Sequence, residues 1–64
     1  MENLSVLFEA SIGKHIILWD LEDRRYEGVV ERVFIDFVQI FETRQKTSRV
    51  FKFSAIKNFS IGEK

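Results

Sequence analysis

The apolar residues of this 64-residue chain change their spacing at Gly13, and this change limits the folds that the chain can adopt. Before Gly13 they recur at helical spacing, which predicts a short helix over about residues 3–12, capped by Asn3. Gly13 can end that helix in a left-handed conformation. From His15 onward the spacing is two, and β-branched and aromatic residues dominate, which predicts strands. Because a three-turn helix is unstable alone in water, it must pack on the strands.

The strands are short, and one of them contains a glycine. Gly28 lies inside the second predicted strand, where glycine usually marks a sharp bend or a close backbone approach. Five short strands with such a bend are typical of a small closed or half-open barrel. We therefore predict a single, mostly β domain over residues 1–64, with a short N-terminal helix and a strongly bent five-stranded antiparallel barrel over about 15–61. The predicted strands are 15–21, 25–33, 36–43, 49–54 and 58–61.

Some strands have more apolar side chains than one barrel interior can bury. Residues 16–19 form an unbroken apolar run, and both faces of the fourth strand carry apolar side chains. This surplus needs a cover, which the helix or a neighbouring subunit would provide. The surplus near the C-terminus consists of Phe51, Phe53, Phe59 and Ile61.

Composition excludes several kinds of chemistry. The chain has no cysteine and a single histidine, His15, so a zinc cage, a disulfide framework and a nucleophilic triad are excluded. Its three glycines form no phosphate-binding motif. We predict a non-enzyme with no catalytic residue, no cofactor, no metal and no small-molecule substrate. With no apolar run of eighteen residues and no basic-then-apolar leader, we expect a cytoplasmic protein without a membrane partner.

The net charge is zero, but the charges are unevenly distributed. Residues 1–42 hold four Lys/Arg and nine Asp/Glu, whereas residues 43–64 hold six and one. Two interpretations remain open. Complementary parts of the fold or of neighbouring subunits neutralise each other, or the chain has a local basic surface that its net charge conceals. The basic residues of the predicted loop between strands three and four are Arg44, Lys46 and Arg49.

Three stretches resemble the Sm-like family of small barrels. Residues 4–18 resemble its opening, which runs from a short helix through Gly-Lys into an alternating strand. Residues 26–30 resemble its first motif with the bent-strand glycine, and residues 51–56 its second, closest to the bacterial Hfq form. The resemblance implies a ring of six or seven subunits, closed by pairing strand four of one chain with strand five of the next. The implied interface is formed by Phe51, Phe53, Phe59 and Ile61.

The resemblance also implies a non-catalytic adaptor that binds single-stranded RNA, with bases stacked between aromatic and basic side chains. Such stacking contributes about 1–3 kcal/mol per base and tolerates sequence variation. Phe37 takes the stacking position, and Lys52 the basic position of the second motif. Phe34 and Val38 replace the family's loop Asp and base-contacting Asn, so uridine-selective contacts are not expected. Together with the basic loop, the predicted RNA-binding residues are Phe37, Lys52, Arg44, Lys46 and Arg49.

A second resemblance gives an alternative function. Residues 28–36 are similar to the Gly-x-Val-x-x-Val-x-x-Asp strand of PRC-type barrels, which have an SH3-like fold. This implies a monomer or dimer that serves as a protein-interaction or assembly module, with Asp36 in a turn and no RNA binding. The zero net charge and the replaced Asp and Asn favour this alternative. The helix-Gly-Lys opening and the ending at residues 55–56 favour the ring.

Overall fold

One antiparallel sheet of five strands forms the body of the protein. The structure, a computed structural model, describes residues 4–62. The strand order in the sheet is β4-β3-β2-β1-β5. The predicted class, a short helix followed by five antiparallel strands in a small barrel-like fold, is confirmed. The elements are α1 (Leu4–Glu9), β1 (His15–Asp20), β2 (Arg25–Val33), β3 (Phe37–Glu42), β4 (Thr47–Lys52), a 3-10 turn (Phe53–Ala55) and β5 (Ile56–Ile61).

The helix is shorter than the predicted span of residues 3–12. After α1 the chain tightens, because the Ser11 N–H donates to the Phe8 carbonyl at 2.9 Å and the Ser11 hydroxyl donates to the Leu7 carbonyl at 3.1 Å. Gly13 then has φ 88°, the left-handed conformation expected of it. The predicted cap, Asn3, lies outside the described residues.

The buried side chains lie on one side of the sheet, and the helix covers them. Phe8 is fully buried, and its ring centroid lies 5.5 Å from that of Phe53 and 4.9 Å from that of Phe59. Phe8 therefore joins α1 to the C-terminal part of the sheet. The core consists of Phe8, Ile16, Leu18, Val30, Val38, Ile40 and Phe51.

The apolar run in β1 divides between the two sides of the sheet. Ile16 and Leu18 are fully buried, whereas Ile17 and Trp19 alternate with them and are half-buried. We call the side opposite the core the outer face. On β3 and β4 it carries Phe37, Gln39, Phe41, Ser48, Val50 and Lys52, which are register partners of one another.

Two strands lie at the edges of the sheet, and their bounds differ from those predicted. Within residues 4–62, β4 and β5 do not pair with each other. Both begin two residues earlier than predicted, and β4 also ends two residues earlier, because Phe53–Ala55 forms a 3-10 turn where alternation alone predicts a strand up to residue 54. The Phe53 N–H donates to the Asp36 carbonyl at 3.0 Å, which fixes this turn against the β2–β3 connection.

The turn between β1 and β2 is organised by the Asp20 carboxylate. Its Oδ1 accepts the backbone N–H groups of Glu22 and Arg24, both at 2.9 Å, and its Oδ2 accepts the Arg24 Nε–H at 3.0 Å. The backbone hydrogen bond from Arg24, more than any other contact, holds the pKa of Asp20 below its ordinary value. The contribution to stability is present above the unfolded pKa and is lost as pH falls through the lowered folded pKa.

Gly28 has no room for a side chain. A Cβ at this position would overlap the carbonyl oxygen of Phe41 and would lie 2.8 Å from its carbonyl carbon and 2.9 Å from Ile40 Cγ2. The pairing of β2 with β3 ends next to it, at Val29 and Phe41, and the first residues of β2 have no register partner on β3. The close approach predicted for Gly28 is therefore present, and the two strands separate beyond it.

We predict that Gly28→Ala lowers the free energy of unfolding by about 1–3 kcal/mol, because the added methyl group must displace backbone rather than a flexible side chain. Urea denaturation followed by circular dichroism measures this change. Gly62→Ala is the matched control, since a Cβ there meets nothing within 4 Å, and we expect a change within about 0.5 kcal/mol. Equal midpoints for the two variants would show that β2 and β3 do not approach this closely.

Candidate functional site

Two of the predicted RNA-binding residues lie directly opposite each other on the outer face. Phe37 begins β3 and is the register partner of Lys52, which ends β4. The Phe34 ring stacks on the Phe37 ring, with 4.4 Å between centroids and 27° between planes. Ile35 is the next residue in the same turn. We call the surface formed by Phe34, Ile35, Phe37 and Lys52 the aromatic–lysine patch.

Backbone hydrogen bonds hold the turn that carries this patch. The Phe34 N–H donates to the Phe37 carbonyl at 2.8 Å, which places the two aromatic residues across a short hairpin turn. The Phe53 N–H donates to the Asp36 carbonyl in the same turn. Two stacked rings on a fixed backbone lose little conformational freedom when a ligand binds, and the patch is therefore preorganised.

The patch combines an accessible aromatic ring with positive charge. Phe34 is 38% exposed and Ile35 is 81% exposed, so both face water in the single chain. The Lys52 side chain is exposed beside them, and the exposed Arg32 lies on the outer face opposite Gln39. Asp36 adds one negative charge in the turn, and the exposed Glu31, whose Oε1 accepts from Gln39 and Ser48 at 2.8 Å, adds another on the outer face. An aromatic ring next to cations is suited to a planar ligand that carries negative charge.

Two further predicted RNA-binding residues, Arg44 and Lys46, lie at the opposite end of the β3–β4 hairpin. They belong to the loop of residues 43–46, where the Lys46 N–H donates to the Glu42 carbonyl at 2.7 Å and Lys46 has φ 57°. Six steps along the chain, about 20 Å in an extended strand, separate Lys46 in this loop from Lys52. The structure thus divides the predicted site into two groups of residues.

Arg49, the fifth predicted RNA-binding residue, contacts groups of its own chain. Its register partner is the buried Ile40, so it lies on the core side of β4. Its Nε donates to Glu42 Oε2 at 3.1 Å, and its guanidinium carbon lies 5.4 Å from the centre of the Tyr26 ring. Glu42 is only 5% exposed. Arg49 therefore neutralises a buried carboxylate, which is a structural role.

The four residues predicted to form a subunit interface also contribute to the core of their own chain. Phe51 is 8% exposed, and its ring lies 4.9 Å from that of Tyr26 in an edge-to-face arrangement. Phe53, Phe59 and Ile61 are half-buried and pack against the core. Only the solvent-exposed parts of these side chains are available for contact with a second chain. Subunit contact through them stays a prediction.

Phe34 and Ile35 belong to the patch although the sequence did not single them out as ligand-binding residues. In the Sm-like resemblance, Phe34 is only the residue that replaces an acidic one. The signal that identifies it is its spacing from Phe37: two aromatic residues that flank a two-residue hairpin turn face each other across the strands.

Neither a metal-ligating cluster nor a membrane-spanning helix is found within residues 4–62. No group of three or more His, Cys, Asp or Glu side chains within residues 4–62 could hold a metal ion. In the same range, no helix has the length and hydropathy needed to cross a membrane. His15 is engaged, since its Nε2 lies 2.9 Å from Glu27 Oε2.

Comparison with known proteins finds no matching family model, no matching curated protein and no matching solved structure. The likeness to Sm-like proteins therefore remains a resemblance of sequence motifs.

We predict that Arg49→Met lowers the free energy of unfolding by about 1–3 kcal/mol, because it leaves the buried Glu42 carboxylate without its cation. Arg44→Met is the control: it removes an exposed arginine from the adjacent loop, and the expected change is within about 0.5 kcal/mol. The measurement is urea denaturation at pH 7. The double variant Arg49→Met with Glu42→Gln should recover part of the loss, and no recovery would contradict the role assigned to the pair.

Proposed function

We propose that this chain binds single-stranded RNA as a non-catalytic adaptor and that RNA bases stack on the aromatic–lysine patch. The observation that carries the proposal is the exposed Phe34 ring, stacked on Phe37, whose register partner on β4 is the exposed Lys52. Unpaired bases can leave their own stack and lie on an aromatic ring, whereas bases in a duplex cannot. Every base has a flat face, so the patch would select single strands rather than a particular sequence.

The loop of residues 43–46 supports the same proposal. Arg44 and Lys46 are exposed cations at the far end of the hairpin that carries the patch. A strand that leaves the patch along β3 and β4 would bring its phosphates to these side chains. Binding would then depend on salt concentration, since each neutralised phosphate releases counterions.

We propose further that the adaptor is a ring of six or seven copies of this chain. The two edge strands support this idea, because β4 and β5 lie at opposite ends of the strand order and each has an unpaired edge in the single chain. Edge-to-edge pairing between copies would satisfy both edges at once. It would also cover the exposed fractions of Phe53, Phe59 and Ile61.

We predict a solution mass of six or seven times 7.6 kDa. Size-exclusion chromatography with light scattering measures it, at low and high salt. The mass should be unchanged at high salt, because backbone pairing and apolar burial are weakly screened, unlike contacts between surface charges. A monomer or dimer at both salt concentrations would overturn the ring.

We predict that Phe34→Ala weakens the binding of U-rich and A-rich oligonucleotides by about 5-fold to 100-fold, the loss expected for one stacked base. Lys52→Ala should weaken the binding of both kinds of oligonucleotide by the same factor. It should also reduce the magnitude of the slope of log affinity against log salt concentration by about one. Fluorescence anisotropy with labelled oligonucleotides measures both effects.

Matched controls separate the patch from general surface effects. Lys57→Ala removes a lysine that pairs with Asp23, and Leu21→Ala removes an apolar side chain that is 65% exposed elsewhere. Neither should change RNA affinity. If Phe34→Ala and Lys52→Ala also leave it unchanged, the patch is not the RNA site.

A protein-interaction module is the second candidate function, and one observation favours it. Ile35 is 81% exposed and Val50, on the outer face, is 54% exposed, and such apolar side chains are suited to contact with another protein. Under this alternative, no RNA binding is measured at low salt, and the solution mass is that of a monomer or dimer. The two measurements above therefore distinguish the candidates.

A further inference from the structure

A cleft opens where β2 and β3 separate beyond Gly28. It has a volume of about 290 Å³ and lies between the start of β2 and the end of β3. This size suits one small ligand group rather than a large molecule. Neither the Sm-like resemblance nor the aromatic–lysine patch accounts for it. Its walls are formed by Arg25, Tyr26, Glu27, Glu42, Thr43, Arg44 and Gln45.

Glu42 brings an unsatisfied acceptor to this cleft. Its side chain is 7% exposed, and Oε2 accepts from Arg49. Oε1 is buried and has no hydrogen-bond partner among the described residues. Buried carboxylate oxygens are almost always paired, because an unpaired one loses its hydration without replacement. Oε1 is shielded from solvent in the single chain, and because the terminal torsion of a glutamate side chain is soft, a small rotation would present it to a donor in the cleft while Oε2 keeps its bond to Arg49.

The other charged groups of the cleft are arranged for a ligand that also carries an anion. Both Glu27 oxygens are engaged, Oε1 by Arg25 at 3.2 Å and Oε2 by His15 at 2.9 Å. Arg44 is exposed at the mouth and forms no ion pair within residues 4–62. The ligand would therefore place hydrogen-bond donors on Glu42 and a negative group on Arg44.

We propose that this cleft binds a guanine nucleotide, with the guanine Watson–Crick edge on Glu42 and a phosphate on Arg44. An ionised carboxylate only accepts hydrogen bonds, and each oxygen can accept two. Glu42 Oε1 takes one guanine N–H, and Oε2 has a second acceptor position beside the Arg49 bond. That such a guanine belongs to an RNA strand rests on the function proposed above; a free nucleotide offers the same chemistry.

Guanine is preferred because its edge is the only one with two adjacent donors, N1–H and the N2 amino group. The amino groups of adenine and cytosine lie next to a ring nitrogen that accepts, and the uracil N3–H lies between two carbonyl oxygens. A carboxylate repels these acceptors. Unpaired bases expose this edge, so a protein can read it without opening a duplex.

Nucleotide titration of the unmodified chain, followed by amide NMR, tests the proposal directly. GMP should bind about tenfold more tightly than IMP, which has the same phosphate and N1–H but lacks the N2 amino group. AMP and UMP should bind more weakly still. The amide signals of Thr43, Arg44 and Gln45 should shift with GMP. Equal affinity for GMP and IMP, or shifts confined to other residues, would overturn the proposal.

Two variants separate the two halves of the ligand. Glu42→Gln should remove the preference for GMP over IMP, because its amide N–H₂ opposes a guanine donor. Arg44→Ala should weaken the binding of GMP and the binding of IMP by the same factor, so that the ratio of the two affinities is unchanged. Since Arg44 is exposed in a loop, its variant remains informative if Glu42→Gln fails to fold. A changed GMP-to-IMP ratio in Arg44→Ala would overturn the assignment of the phosphate.

Oligonucleotides distinguish a guanine in a strand from a free nucleotide. A U-rich strand with one central G should bind the unmodified chain more tightly than the all-U strand, and Phe34→Ala should weaken both. Tight GMP binding without this gain identifies a free nucleotide as the ligand. GMP selectivity in a chain that binds no oligonucleotide supports the cleft and refutes the proposed adaptor. If oligonucleotides bind but neither GMP nor the strand with a central G is preferred, the guanine site in the cleft is refuted and the proposed adaptor is not.

Discussion

Backbone meets backbone at Gly28, where the absence of a side chain lets β2 pass against the carbonyl group of Phe41. A glycine inside a strand allows another backbone to come this close. On the buried side of the same sheet, Phe8 of α1 packs on Phe53 and Phe59. On the far side of Gly28, β2 and β3 no longer pair, and the cleft lies between them. The close approach of the two strands and the cleft therefore meet at one glycine.

The β3–β4 hairpin carries both surfaces that the chain offers for binding. At one end, Phe37 and Lys52 form a register pair beneath the Phe34 ring. At the other end, Glu42 and Arg44 lie beside the cleft. The six register pairs between β3 and β4, together with the pairing of β3 with β2, hold this hairpin and set the distance between the two surfaces. A ligand that occupied both would need to match that distance, and this requirement would select an extended strand over a compact molecule.

Local patterns in the sequence were sufficient for the fold class but not for the details of the site. The change of period at Gly13 and the glycine inside β2 are local signals, and both predicted what the structure contains. The end of β4 was misplaced because Phe53 continues the alternation of Phe51 although it already lies in a 3-10 turn.

The roles of the individual basic residues could not be predicted from the sequence, for a different reason. Arg44, Lys46 and Arg49 look alike in a basic loop, but only the strand register turns Arg49 toward the buried Glu42. That pairing joins residues on two strands and depends on the burial of the carboxylate, which no local pattern encodes. The stacking of Phe34 on Phe37 likewise depends on the geometry of the turn between them.

The position of β5 has a consequence for how the chain folds. β1 lies between β2 and β5, and its pairing with β5 joins residues 16–20 to residues 56–61. Among themselves, β1 to β4 pair only between neighbours in sequence, so this part of the sheet can form from local contacts. One edge of β1 stays unpaired until β5 docks. During that interval Ile16 and Leu18 lack the cover of Ile61 and Phe59, so aggregation competes with folding most strongly just before β5 docks.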